Sequence, residues 1–390
     1  MTSQPPSVPL TAVFSAPFLG GSELFNVEYL RHAHEAGIQI DALLPGHGAL
    51  EHELLRLVRK CEIVAVPEGL QSLSRFQSRL GIANAVRIAP GAIAYGWRLR
   101  RALGRTEGPI VCFGLRSQLA VAALAPTLRR EVCWVLHEVV PDGTLGWAWG
   151  RASASARHLY AYSRAAAEQP LLQGVAVEVL PVRLALARFA GVPPPRDPPR
   201  VLGLIGDLFP LKNHLAVFEL VQRLRRRGFA VEGLLVGRDQ TGEKRAVEEY
   251  ARSVHAAADA PDSHVRVVAA TPEQLPDVLA EIDVLLHLST IPETFGRVCA
   301  ESMAAGRPVV AFGHGAVAEI VRADETGFLC TPGDLDAVEA ALVDIYEGNG
   351  MLRRLSAQAR EYAQSEFGEG QTDRTIAEAL VERAVAGSTA

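Results

Sequence analysis

What most constrains this chain is an alternation. Short apolar runs recur, each followed by a polar turn and then by residues with helical spacing. Leu10 to Ser15, Ile38 to Leu44, Ile63 to Val66, Ile110 to Phe113, Val132 to Leu136 and Leu159 to Tyr162 read as strands. Helical patterns lie between them. One follows Gly20-Gly21-Ser22-Glu23 and runs to Glu35, with Gly37 as its stop signal, and another runs from Leu50 to Lys60. Apolar strands separated by helices predict a parallel sheet covered on both faces. Right-handed crossovers then put ligand loops at the carboxyl ends of the strands.

Residues 190 to 200, AGVPPPRDPPR, hold five prolines and read as a stiff, extended linker. Beyond them the alternation restarts. Val201 to Ile205, Val231 to Val236, Val265 to Val268 and Val284 to Leu288 read as strands. Helices are predicted from about Asn213 to Arg227, through Tyr250, and over Pro276 to Glu281. From Asp334 to Ala386 the pattern is almost wholly helical. The expectation is a domain over 1–190, a linker over 191–200, a second doubly wound domain over 201–367, and a C-terminal helix within 368–390.

With 390 residues, 48% of them hydrophobic, the chain can bury two cores. A net charge of −5 gives no electrostatic reason to expect nucleic acid. Five scattered cysteines lack metal-ligand spacing and read as buried thiols in a reducing compartment. The opening MTSQPPSVPL has no basic region followed by an apolar core, so it does not read as a secretory signal. No apolar run reaches the ~18 residues that span a bilayer. The expected location is cytoplasmic, with peripheral membrane contact left open. That opening comes from the basic run Trp97 to Arg105, which fits an amphipathic helix on anionic lipid, an acceptor-facing patch or a solvated helix face.

Chemistry concentrates between Asp283 and Ala316, DVLLHLSTIPETFGRVCAESMAAGRPVVAFGHGA. It reads as strand, polar loop, helix, strand and glycine-rich turn. Glu293 stands in the loop and Glu301 in the helix, which opens at Phe295-Gly296-Arg297. Free amides at such a helix start favour a phosphate. Carboxylates on either side suit the hydroxyls of a sugar and of a ribose. The stretch resembles the signature of retaining glycosyltransferases of the GT-B fold, family GT4. That family has the two glutamates, the Phe-Gly between them and the later Ala-Gly-x-Pro-Val-Val in this order and spacing. The resemblance covers both halves and is strong from about Val201 to Gly333.

The resemblance implies a fold of two Rossmann-like doubly wound parallel-sheet domains facing a cleft, an acceptor domain over 1–190 and a donor domain over 201–367, with a C-terminal helix past about Phe367 that crosses back onto the first domain. It also implies roles. Glu293 would hold donor-sugar hydroxyls, the amides of Thr294, Phe295 and Gly296 would line the sugar and its phosphate, and Glu301 would hold the ribose. Gly20 and Gly21 match the family's N-terminal glycine loop, which reaches the donor diphosphate. His137 matches a histidine that faces the donor sugar. Lys212 matches the lysine of an Arg–Lys pair that clamps the two phosphates, but Asp207 stands where the arginine would be. Arg183, Arg238 and Arg297 are the candidate substitutes, and Arg183 itself lies where relatives commonly have Pro-Asn-Gly-Val. Gly237, after the strand ending at Val236, joins the donor-binding set. Asp283 and Ser289 read as structural, and His214, His287 and His314 as incidental.

The reaction implied is transfer of a hexosyl group from a nucleoside diphosphate sugar, with retention. UDP is the first expectation for the nucleotide on family frequency, with GDP second. The acceptor class stays open between a sugar, a lipid-linked sugar and a small molecule. No cofactor or metal is expected, because there is no Asp-x-Asp loop and no His/Cys cluster. Two alternatives remain at this point. One is a nucleotide-sugar epimerase or hydrolase of the same fold. The other is a degenerate, non-catalytic nucleotide-sugar binder, a reading that rests on Asp207 and Arg183.

Overall fold

A computed structural model describes residues 8–71, 82–140, 143–239, 245–369 and 375–388. Residues 1–7, on which the expectation about a secretory signal falls, lie outside the described residues, as do 370–374 and 389–390 of the C-terminal segment. The chain forms two compact units. One comprises Met1–Val182 with Asp373–Ala390, and the other Arg183–Thr372.

The described strands of the first unit are β1 (Val8–Phe14), β2 (Ile38–Leu44), β3 (Lys60–Ile63), β4 (Ile110–Phe113), β5 (Val132–Leu136), β6 (His158–Ala161) and β7 (Glu178–Val179). They pair in the order β3-β2-β1-β4-β5-β6-β7, and every pairing is parallel. β4 and β5 are buried along their whole length, as strands covered on both faces must be. The helix Gly21–Glu35 buries Phe25, Val27, Tyr29, Leu30 and Ala33. It stops at Gly37, which takes a φ of 86° that other residues resist. The helix Ile376–Ser388 packs on β1 and on Gly21–Glu35, with Ile376, Ala379 and Leu380 fully buried.

The second unit repeats the plan. Its strands are β8 (Val201–Ile205), β9 (Glu232–Val236), β10 (Val265–Val268), β11 (Val284–His287), β12 (Val309–Phe312) and β13 (Gly327–Cys330). Their order is β10-β9-β8-β11-β12-β13, again with parallel pairing. In each sheet the order reverses beside the unit's first strand. The switch points therefore lie between β1 and β4, and between β8 and β11. Crevices for ligands open at such points, outside the carboxyl ends of the strands.

Asp283, at the start of β11, is 1% exposed. Its carboxylate accepts from the main-chain amides of Arg196, Arg200 and Val201 at 2.8–2.9 Å, and from the Arg196 side chain. Buried Arg307 donates to the Pro193 carbonyl, and Arg360 to those of Ala190 and Val192. The proline-dense stretch is thus fastened to the second unit.

The two-sheet architecture is the one the alternation predicts, and five of the strands keep the predicted bounds. One region departs from the reading. The helix expected over Leu50 to Lys60 is only Ala49–Leu54, and the following strand is Lys60–Ile63 rather than Ile63 to Val66. Arg59 reaches Asp41 of β2 (2.6 Å) and sets the register Asp41↔Lys60. This strand lies at the edge of the sheet, so its residues are half-exposed and mixed in polarity, and on a sequence they mimic an amphipathic helix. No helix among the described residues is long and apolar enough to cross a membrane.

Candidate functional site

In the second unit, loops after β8, β9 and β11 meet at the switch point. Gly206 and Gly237 bring two of these backbones together. A Cβ on Gly237 would stand 2.1 Å from the Gly206 carbonyl oxygen, so a side chain there would force the loops apart. The chain then turns through Pro210–Lys212, a single turn closed by Asn213 in the left-handed region (φ 60°). This turn lays the Lys212 stem over Gly206 and sends its Nζ to Glu293, where it donates to Oε1 at 2.5 Å. His287, the last residue of β11 and 5% exposed, places Nε2 3.4 Å from the same oxygen.

The glycine-rich turn after β12 holds Glu293 from behind. The Ala316 amide donates to the Glu293 carbonyl (2.9 Å), and His314 Nε2 donates to the Ser289 carbonyl (2.8 Å). Gly315, at φ 59°, leaves only 2.6 Å between the Glu293 carbonyl and the place where a Cβ would be. Burial alone would raise the Glu293 pKa, but Lys212 and His287 outweigh it and hold the carboxyl well below the usual carboxylate range. Glu293 is therefore an ionised acceptor, oriented by its backbone and held by a lysine.

Glu301 lies one turn into the helix Arg297–Ala304, which begins at Gly296 (φ 85°). It is 5% exposed. Its Oε1 accepts from Arg188 Nη2 (2.7 Å) and Arg297 Nε (3.0 Å). Phe295 is buried and meets Phe367 edge to face. Asp207 faces Arg238, whose Nε and Nη2 approach its two oxygens at 3.3 and 3.4 Å. Of the three candidate substitutes for the missing arginine, Arg238 is the one found beside Asp207. Arg297 serves Glu301, and Arg183 donates to the Glu366 carbonyl (2.6 Å).

In the first unit, Gly20 and Gly21 begin the helix Gly21–Glu35, beyond the carboxyl end of β1. The space where a Gly21 Cβ would stand is open. Burial raises the pKa of the nearby Glu23, and the charge of Glu138 raises it further. His137 follows β5, is 7% exposed, and shares a hydrogen bond with the Tyr162 hydroxyl through Nδ1 (2.5 Å). Burial pushes its pKa down to about 3, so the imidazole is neutral at ordinary pH. Its chemistry there is hydrogen bonding.

Two contacts at the candidate site escaped the sequence reading. His287 read as incidental, yet it stands against Glu293. Arg188 was not singled out, yet it holds Glu301. The signal for His287 was its place as the polar residue closing an apolar strand. Arg188 carried no signal, because its partner is 113 positions away.

Residues 189–362 match the profile of the family described as glycosyl transferases group 1. The chain carries a group 1 glycosyltransferase domain. The chain is 30% identical to the N-acetyl-alpha-D-glucosaminyl L-malate synthase of Bacillus anthracis over 95 residues, which is 24% of this chain and 25% of that protein. It is 34% identical to the trehalose phosphorylase of Pleurotus pulmonarius over 96 residues, 25% of this chain and 13% of that one. The chain thus matches a quarter or less of the length of these relatives. Among solved structures, HepE of Anabaena with UDP and glucose superposes with a TM-score of 0.73 at 18% identity, covering 98% of this chain and all of that one. The sucrose-phosphate synthase of Thermosynechococcus elongatus gives 0.72 at 17%, covering 97% and 98%. At these identities the likeness establishes the fold, which is GT-B, with a Rossmann-like sheet in each unit. The matched residues include Lys212, Arg238, Glu293 and Glu301, and Arg188 stands immediately before them.

Proposed function

We propose that this protein is a retaining glycosyltransferase that moves a hexosyl group from a nucleoside diphosphate sugar to an acceptor hydroxyl. UDP is the first choice of nucleotide. The contact between Lys212 and Glu293 carries the reading. Two loops from opposite sides of a switch point bring a cation and an ionised carboxylate together at the place where such sheets bind nucleotides. Lys212 would leave Glu293 for the diphosphate. Glu293, still ionised, would accept from the sugar hydroxyls, and the amides at Phe295-Gly296 would face the departing phosphate. Glu301 would take the ribose hydroxyls. Arg238 would supply the second positive group, with Asp207 as its tether. A same-face substitution, with the leaving phosphate accepting the acceptor's proton, gives retention without a protein nucleophile. HepE and its UDP-bearing structures support the choice of nucleotide by likeness of fold.

The test is calorimetric titration with UDP, GDP, ADP and dTDP, repeated on Glu301→Ala. Binding of one nucleotide, weakened at least tenfold by the substitution, is expected. If none of the four binds, the proposal fails and the non-catalytic reading takes its place. Release of nucleotide from the donor without any acceptor would favour the epimerase or hydrolase alternative.

A further inference from the structure

The helix Ile82–Leu103 of the first unit has one face in the core and one in solvent. Tyr95, Leu99, Ala102 and Leu103 are buried and belong to that unit's hydrophobic cluster. At ~100° per residue, Ile93, Trp97, Arg100 and Arg101 share the opposite face. Ile93 is 64% exposed and Trp97 72%, the highest value among the large exposed hydrophobic residues. Arg87, Arg98, Arg100 and Arg101 are also exposed. From Ile82 to Thr106 the sequence has five arginines and neither aspartate nor glutamate, in a chain whose net charge is −5. One of the five, Arg105, is paired with Glu62. The outward face is therefore an apolar ridge ringed by positive charge, and it is fixed to the body by its buried side.

We propose that this face docks the protein on an anionic lipid surface. The charge selects the partner. Four exposed arginines on a helix that carries no carboxylate of its own are repelled by cationic and indifferent to neutral surfaces. A tryptophan standing clear of the protein suits the boundary between headgroups and acyl chains, where an amphipathic ring lies half wet. The inward side of the helix is already taken by the core. The protein would therefore sit on the bilayer with Trp97 dipping in, and would not embed the helix.

The experiment is co-sedimentation of the full chain with vesicles of equimolar phosphatidylglycerol and phosphatidylcholine, and with vesicles of phosphatidylcholine alone. It is run at low salt and at about 0.15 M salt. Binding to the anionic vesicles alone, weakened by salt, is expected. Reversing three charges together (Arg98→Glu, Arg100→Glu, Arg101→Glu) should lower partitioning by at least ~100-fold, since loss of each positive charge alone is worth ~5-fold. The double change Ile93→Ser with Trp97→Ser touches only exposed side chains and should lower it about tenfold. An unchanged thermal midpoint and unchanged UDP titration certify the folded state of each variant. The proposal is overturned if the protein stays in the supernatant with anionic vesicles at low salt, or if both variants sediment like the parent. It is also overturned if heparin binds as strongly and the Ile93/Trp97 change is silent, since the face would then be a general polyanion site.

Discussion

Lys212, Glu293 and His287 form a small electrostatic device. The lysine and carboxylate side chains are 29% and 21% exposed, so their attraction is only partly screened. Substituting Lys212→Ala leaves Glu293 with His287 alone. Turnover is expected to fall ~100-fold or more, with weaker nucleotide binding, as for loss of a group that meets developing charge. Equal Kd values for parent and variant would refute the role of Lys212 at the phosphates. His287→Ala should separate the parameters, with kcat down about tenfold and nucleotide Kd unchanged, because on the proposed reading the histidine acts through the Glu293 carboxylate beside it. His137 acts on stability. Free in the unfolded chain it titrates near 6.5, and in the fold at about 3. On acidification the unfolded state gains the proton first. The stability from the neutral imidazole is therefore whole above pH 6.5 and is lost as pH falls toward 3, at up to ~1.4 kcal/mol per unit. His214, pushed down to about 4 mainly by burial, has the same sign. Denaturant titrations at pH 7 and 5 should show a smaller difference for His137→Asn than for the parent. Glu293 and Glu301 stood out as candidates because they sit at fixed spacing about a helix start, and Lys212 because its loop resembles the family's. His287 and Arg188 were not, because their meaning lies in partners brought close only by folding.

At the scale of elements, glycines set how closely the loops approach. Gly21→Ala adds a methyl into open space at a helix start. The thermal midpoint should hold within about 1 °C of the parent's, as read by a calorimetric scan. Gly237→Ala drives a methyl against the Gly206 carbonyl. It should cost ~1–3 kcal/mol by overpacking and abolish nucleotide binding, as read by denaturant titration and calorimetry. Buried parallel strands were the legible elements, since their apolar runs admit few other readings. The edge strand Lys60–Ile63 was misplaced because a half-exposed strand, paired on one side only, carries a mixed pattern that also fits a helix.

At the scale of the molecule, the repeated plan of two sheets was legible from alternation alone. The return of the C-terminal helix to the first unit was implied by the family resemblance, but the point where the chain first leaves that unit was not legible. The change of unit falls at Val182–Arg183, and no break in composition marks it. The proline-dense stretch that catches the eye is held by Asp283, Arg307 and Arg360, whose contacts no local pattern announces. Ending the chain before residue 375 removes the fully buried Ile376 and Leu380, each worth ~1.5–3 kcal/mol of burial. Such a truncation should lower the stability of the first unit and spare UDP binding by the second. Loss of nucleotide affinity in a truncated but folded second unit would contradict this division of labour.

The same helix has a consequence for synthesis. The first unit is translated first, yet the piece that covers its β1 and its Gly21–Glu35 helix comes last. The ribosome must add the whole of Arg183–Thr372 in between. At ~5–20 residues per second that interval lasts roughly 10–40 s. Throughout it the nascent first unit lacks the helix that packs on β1 and on Gly21–Glu35, while the second unit has every residue it needs as soon as Thr372 is added. The order of maturation is thus the reverse of the order of translation. A chaperone that binds this nascent chain would find its site on the older half.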